Sequence, residues 1–151
     1  MSNILVYESY VQMIKNSIGT KMFRSLYIEK DGEKNDIADN GSFSCALFVS
    51  NVLFLWDLIS SGHATVESTI EDMKKNGWKE VSVDNIKIGD VILWEEKLAE
   101  DNKKHYHNGF YIGDNQAISN SGEKGFPVIH DWKYNGKREI ISVYTYPNFK
   151  K

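Results

Sequence analysis

Apolar residues at helical spacing near the N-terminus predict an opening helix that ends close to Gly19; they are Val6, Tyr10, Met13, Ile14 and Ile18. A second apolar run, residues 45–59, is long and almost unbroken. Its length favours a helix over a strand, and its lack of a polar face predicts that this helix is buried on most sides. A third helix is predicted between Thr65, a suitable N-cap, and Asn76-Gly77, which suits a helix end.

Elsewhere the pattern changes to the alternation that is typical of strands. Residues 24–37 alternate around Asp31-Gly32, which predicts a β-hairpin, and Asn40-Gly41 marks a further turn. Strands are predicted at residues 90–95, 107–113, 115–120 and 139–146, with a tight turn at 113–115 and a charged, mobile loop at 96–104. Helices followed by antiparallel strands predict an α+β fold, and the length suits one domain over residues 1–151.

Composition and charge limit the partners of this chain. The 151 residues have a formal net charge of −3 and a pI of about 5.8, so we expect no nucleic-acid partner and no anionic membrane partner. The single cysteine excludes an internal disulfide. Glu8 and Gln12 interrupt the N-terminus where a signal peptide needs an apolar core, and residues 43–59 are too polar to span a bilayer. These features predict a cytoplasmic protein and favour no particular oligomeric state.

Cys45 is the one thiol of the chain and lies at the start of the predicted buried helix. A helix N-terminus supplies free N–H groups and a positive dipole end, which stabilise a thiolate and lower its pKa from about 8.5. The same N–H groups donate to the oxyanion of a tetrahedral intermediate. Ser42 or Ser44 would cap this helix. A lone cysteine among apolar neighbours is also typical of a small buried side chain, so a nucleophilic role requires a matching base.

His107 is the candidate base, since it opens a predicted strand in the run HNGFYIG. On a strand, His107, Gly109 and Tyr111 share one face, and Gly109 leaves space beside the imidazole for a close approach. An imidazole with an ordinary pKa near 6.5 suits general-base catalysis on a thiol. A strand histidine alone is more often structural, so the hypothesis depends on Cys45 and His107 together.

Three segments occur in an informative order: SCALFVSNVLF (residues 44–54), IKIGDVILWEE (86–96) and HNGFYIGDNQAIS (107–119). They resemble, in turn, the nucleophile helix, the Gly-Asp strand and the His-x-Gly hairpin of the NlpC-type cell-wall peptidases. The related cysteine- and histidine-dependent amidohydrolases share this order. The similarity extends over residues 43–120. Two positions depart from the family pattern, because Ser44 replaces its Asp and Ala46 replaces its Ser.

The resemblance implies a trimmed papain-like fold in which Cys45 is the nucleophile and His107 is its base. It also implies a polar residue on the strand after the hairpin, which orients the imidazole. The corresponding position is Ser119, which accepts a hydrogen bond but lacks the charge of a carboxylate. Asn120, after a register shift of one residue, and His130 are the alternatives for this role.

The implied reaction is hydrolysis of an amide or ester bond through an acyl-enzyme, with cell-wall peptides as possible substrates. Ser44 and Gly109 are expected to contact the substrate. No cofactor or metal is expected, since a zinc site of Cys45, His105, His107 and His130 would have spacing unlike that of structural zinc sites and no second cysteine. The alternative function is a catalytically inactive papain-like domain that binds a peptide or a protein, which the serine at the third position motivates.

Overall fold

Helices come first and a sheet follows in the computed structural model of this protein, which describes residues 1–149. The helices are α1 (Val6–Asn16), α2 (Cys45–Leu55) and α3 (Val66–Lys75). The strands are β1 (Tyr27–Lys30), β2 (Glu33–Asp36), β3 (Lys79–Val81), β4 (Val91–Leu98), β5 (Lys104–Gly113), β6 (Gln116–Ser121), β7 (Phe126–Asp131) and β8 (Ile140–Thr145). No helix within the described residues has the length and apolar character needed to cross a bilayer.

The strands form two antiparallel sheets of different size. β1 and β2 make an isolated, exposed hairpin. The other six strands pair in the order β3-β8-β4-β5-β6-β7, and every pairing is antiparallel. Helices followed by this sheet confirm the predicted α+β class.

Helix α2 packs against β5 and β6 and lies at the centre of the larger hydrophobic core. Its apolar sequence has no polar face because both the sheet and the other helices cover it, as predicted. The opposite face of the sheet carries a smaller cluster built on Trp94. The two clusters lie on opposite sides because successive strand residues point to opposite faces: Phe110 belongs to the first and Tyr111 to the second.

Several local predictions are confirmed by the backbone. Helix α3 begins after Thr65, whose hydroxyl accepts the Ser68 N–H at 3.2 Å, as an N-cap should. The β1–β2 turn has positive φ at Asp31 and Gly32 (54° and 79°), the conformation that a two-residue hairpin loop requires. The turn before β6 likewise has positive φ at Asp114 and Asn115.

Two expectations about element bounds are wrong, and two strands were not predicted. Helix α2 ends at Leu55 rather than residue 59, because Asp57 takes a positive φ of 57° and turns the chain. The loop predicted at 96–104 is shorter and covers residues 99–103, since β4 runs to Leu98 and β5 begins at Lys104. Strands β3 and β7 were not predicted: the first is three residues long, and the second contains Pro127, which cannot donate to a ladder.

Candidate active site

The loop before α2 fixes the position of Cys45. The Asn120 side chain donates from Nδ2 to the Gly41 carbonyl at 2.8 Å, which ties this loop to β6. Gly41 has no room for a side chain, because an added Cβ would lie 2.5 Å from Gly125. Ser44 occupies the N-cap position but makes no side-chain cap, and its buried hydroxyl has no hydrogen-bond partner within residues 1–149. Helix α2 begins at Cys45, which follows this tethered loop directly. The Cys45 residue is half-buried and lines a cleft.

The Cys45 thiol is surrounded by backbone donors in a desolvated position. Burial raises the pKa of Cys45 to about 11, and hydrogen bonds from the backbone N–H groups of Ala46 and Asn108 offset only part of that increase. The expectation that the helix N-terminus lowers this pKa is wrong, because the cost of desolvating a thiolate exceeds the gain from the N–H groups. The Cys45 thiol is therefore protonated and neutral near pH 7.

His107 lies on β5, directly before Asn108, whose backbone N–H reaches the Cys45 sulfur. Its ring stacks on Trp94 with centroids 5.1 Å apart and planes at 26°. Burial lowers the pKa of His107 well below 6.5, and the nearby positive charge of Arg138 acts in the same direction. His107 is therefore a neutral imidazole at ordinary pH.

Three polar side chains surround the Nε2 side of the His107 ring. The Ser119 hydroxyl lies 3.0 Å from His107 Nε2, 2.6 Å from His130 Nε2 and 2.9 Å from the Tyr134 hydroxyl. Two of the three candidates for the orienting role, Ser119 and His130, thus occur in one network. The third, Asn120, lies on the next position of β6 and bonds Gly41 instead.

The hydrogen-bond partners determine which atom is the donor in each bond of this network. His130 Nδ1 donates to the Asp131 carbonyl at 2.7 Å, so its Nε2 must accept the proton of the Ser119 hydroxyl. Ser119 Oγ then accepts from His107 Nε2–H and from the Tyr134 hydroxyl. Because Nε2 of His107 carries the proton, Nδ1 of the neutral ring holds the free lone pair.

Tyr134 is a member of this network that the sequence did not indicate. It has φ of 52°, a left-handed conformation that is uncommon for a bulky residue, and Asn135 and Gly136 follow with positive φ as well. Its ring stacks on His130 with centroids 4.1 Å apart. Burial raises the pKa of Tyr134 to about 12, so the phenol stays protonated and donates. Only the turn signal of Asn135-Gly136 was visible beforehand.

The two residues expected to contact substrate lie behind the cleft surface. A Cβ added to Gly109 would lie 2.7 Å from Ser119 Cβ and 3.0 Å from the Trp94 ring, so the space beside the imidazole is filled by these two residues. Ser44 is fully buried. Neither residue belongs to the cleft lining.

An open cleft of about 980 Å³ is lined by both candidate residues and by members of the network. Its lining includes Cys45, His107, His130, Tyr134 and Arg138. Within residues 1–149, no hydrogen bond joins the Cys45 thiol to the His107 ring. The fold thus brings the predicted nucleophile and base to one cleft with the network behind the base.

The residues of the alternative zinc site have other partners. His105 bonds Asp101 at 2.7 Å, and His130 belongs to the Ser119 network. Across the part of the chain that the structure describes, no group of three or more His, Cys, Asp and Glu side chains is arranged to hold a metal ion.

Known proteins resemble this chain in both structure and sequence. The structure of NlpC2 from Trichomonas vaginalis superimposes with a TM-score of 0.61 and 16% identity, covering 100% of this chain and 49% of that one. The chain thus spans about half the length of this neighbour, and the match confirms the predicted papain-like, NlpC-type fold. No curated protein matches the chain. The sequence pattern of a family described as bacteriophage peptidoglycan hydrolase matches residues 37–151, and the chain belongs to this family.

Proposed function

We propose that this chain is a single-domain cysteine hydrolase that cleaves an amide bond of peptidoglycan peptides through an acyl-enzyme. The observation that carries the proposal is the Ser119 network, which leaves the lone pair on Nδ1 of His107 in the cleft that Cys45 lines. The membership of a peptidoglycan hydrolase family supports the substrate class. The NlpC-type fold supports the order of nucleophile and base along the chain.

The reaction begins with a neutral thiol and a neutral imidazole, as the pKa directions of both groups require. His107 Nδ1 takes the proton of Cys45 as the sulfur attacks the carbonyl carbon, and a C–S bond forms. The backbone N–H groups of Cys45, Ala46 and Asn108, which already reach the sulfur, lie beside the developing oxyanion. Collapse of the tetrahedral intermediate breaks the C–N bond, and His107 gives its proton to the leaving amine.

Water completes the cycle. His107 Nδ1 takes a proton from water as the oxygen attacks the acyl carbon, the C–S bond breaks, and the proton returns to the Cys45 sulfur. Ser119, supported by His130 and Tyr134, keeps the His107 proton on Nε2 throughout. This positioning role needs no carboxylate. The Ser119 hydroxyl has one proton and donates it to His130, so its oxygen can only accept from His107.

The raised pKa of Cys45 favours a second candidate, a domain that binds the same peptides without cleaving them. A binding domain does not need a nucleophile, so a buried neutral thiol is compatible with it. The two candidates differ in a single measurable property, which is turnover.

Turnover is tested on purified bacterial peptidoglycan with the wild type, Cys45→Ala, His107→Ala and a matched control, His105→Ala. His105 lines the same cleft but bonds Asp101 rather than Ser119. We expect new free amines and solubilised fragments with the wild type and His105→Ala, and none above background with the other two. Release of amines by Cys45→Ala would overturn the cysteine mechanism, and equal sedimentation of all four proteins with peptidoglycan without cleavage would support the binding domain.

A further inference from the structure

Arg138 is a cation built into the cleft wall. It lies just before β8 and is half-buried. Its Nε donates to the Glu95 carbonyl and its Nη2 donates to the His105 carbonyl, both at 3.0 Å. These bonds join it to β4 and β5 and hold the guanidinium in one orientation at the cleft. The guanidinium has five N–H donors, so these two bonds leave further donors available.

No salt bridge within residues 1–149 includes Arg138. The ion pairs found within residues 1–149 join His63 to Asp72, Lys75 to Glu71 and His105 to Asp101. Glu95 is near enough to interact with Arg138 through its charge, but its Oε1 accepts from the Glu139 N–H. Burial lowers the pKa of Arg138, which shows that its charge has lost part of its hydration. A half-buried cation that has carbonyl acceptors but no salt bridge is stabilised further when a ligand supplies an anion.

Arg138 lies near the residues that are proposed to react. Its charge acts on Cys45, His107 and Tyr134, so the guanidinium lies close to the site of bond cleavage. Lys97 and Lys137 line the same cleft, but the Lys97 ammonium donates to the Lys137 carbonyl at 2.5 Å. Arg138 is therefore the cation that is both held rigidly and close to the nucleophile.

We propose that Arg138 binds a carboxylate of the substrate, on a residue next to the scissile amide, through a charge-assisted bond. A planar guanidinium offers two parallel N–H donors that match a carboxylate, which a lysine ammonium does not. The substrate class is thus an acidic peptide amide. The part of this inference that concerns cleavage rests on the proposed function. The part that concerns binding of the acidic peptide does not depend on catalysis.

The test compares two matched peptidoglycan stem peptides, one with a free glutamyl carboxylate and one with that group converted to a carboxamide. With the wild type we expect kcat/KM to be about 10- to 100-fold higher for the carboxylate form, the range that a charge-assisted hydrogen bond gives. In Arg138→Gln this ratio falls to about one. Lys97→Gln removes the same unit of charge from the same cleft and keeps the wild-type ratio. Melting temperatures of both variants show whether either one has lost its fold.

A second arm separates this inference from the proposed function. Dissociation constants of both peptides are measured by calorimetry with Cys45→Ala and with Cys45→Ala combined with Arg138→Gln. A preference for the carboxylate form that needs Arg138 supports the inference even when the wild type cleaves neither peptide. Equal cleavage of both peptides by the wild type overturns the inference and leaves the hydrolase proposal standing. If neither peptide binds or is cleaved, the carboxylate site is overturned as well.

Discussion

His63 and His107 each anchor a polar network, and the two networks differ in geometry more than in residue type. His63 Nε2 lies 2.6 Å from Asp72 Oδ2 and 3.4 Å from the Ser61 hydroxyl, so both partners use the same ring nitrogen. His107 likewise uses Nε2, toward Ser119, but it lines the cleft that Cys45 also lines, which His63 does not. A serine, a histidine and an aspartate near one another therefore do not form a relay at His63, because a relay needs both nitrogens.

The partners of Asp72 explain what the His63 network does instead. The Asp72 carboxylate accepts the backbone N–H groups of Ser60 and Ser61, and the Ser50 hydroxyl bonds both backbone groups of His63. These bonds join the loop after α2 to α3. Burial acts to raise the pKa of Asp72, but hydrogen bonds from His63, Ser60 and Ser61 outweigh it, so the pKa is lowered. The His63 network joins elements of the fold, whereas the His107 network orients an imidazole that lines the cleft.

The largest expected effect separates the two histidines by activity. His107→Ala removes the general base, so we expect kcat on peptidoglycan fragments to fall by about 1,000-fold, within the usual range for such catalysis. His63→Ala leaves the cleft intact and is expected to keep kcat within about threefold. The test is to measure kcat for both purified variants and to check by circular dichroism that each is folded. Equal losses of kcat in two folded variants would remove the distinction.

Alkylation of Cys45 tests whether His107, without a carboxylate partner, leaves the thiol neutral. Because burial raises the pKa of Cys45 to about 11, we expect the rate with iodoacetamide to rise about tenfold per pH unit, or about 100-fold from pH 7 to pH 9. Ser119→Asp gives His107 the kind of partner that His63 has, which favours the imidazolium and hence the thiolate. This variant should react faster than the wild type at pH 7. A wild-type rate that levels off below pH 8 would indicate a resting ion pair.

The sequence predicted which cleft residues to examine better than it predicted their surroundings. Cys45 and His107 were identified as candidates because a buried helix start and a strand beginning with His-x-Gly are local patterns, and both residues line one cleft. Ser119 was one of three candidates that the family resemblance implied for the orienting role, and its hydroxyl lies 3.0 Å from His107 Nε2. Tyr134 was missed because it reaches the network through a left-handed turn, which local spacing does not encode.

Long-range contacts account for the other errors. The pKa of Cys45 depends on how deeply the sheet buries the start of α2, and a helix position alone carries no such information. Arg138 binds the carbonyls of β4 and β5, residues that lie 43 and 33 positions away in the chain. By contrast, the hairpin turn at Asp31-Gly32 and the cap at Thr65 were predicted correctly because their causes lie within four residues.

Stability should depend on Asp72 rather than on the base network. Asp72→Asn replaces a carboxylate that accepts charge-assisted hydrogen bonds, so we expect a loss of about 2 kcal/mol in unfolding free energy at pH 7. A lowered folded pKa contributes stability that is present above the unfolded pKa of about 3.9 and is lost as pH falls through the lower folded value. The difference between wild type and variant in urea unfolding should therefore shrink below about pH 4. A difference that is constant down to pH 2 would contradict this account.

The smallest effects concern the residues that orient His107. Ser119→Ala removes the acceptor for Nε2–H, so the proton is free to occupy Nδ1, and we expect kcat to fall about tenfold with KM little changed. Tyr134→Phe keeps the stacked ring but removes one donor to Ser119, and about a threefold fall is expected. Ser121→Ala, two positions along β6, is the matched control and should resemble the wild type. Because His130 also bonds Ser119, the loss in Ser119→Ala should exceed that in Tyr134→Phe, and the reverse order would assign the orienting role to Tyr134.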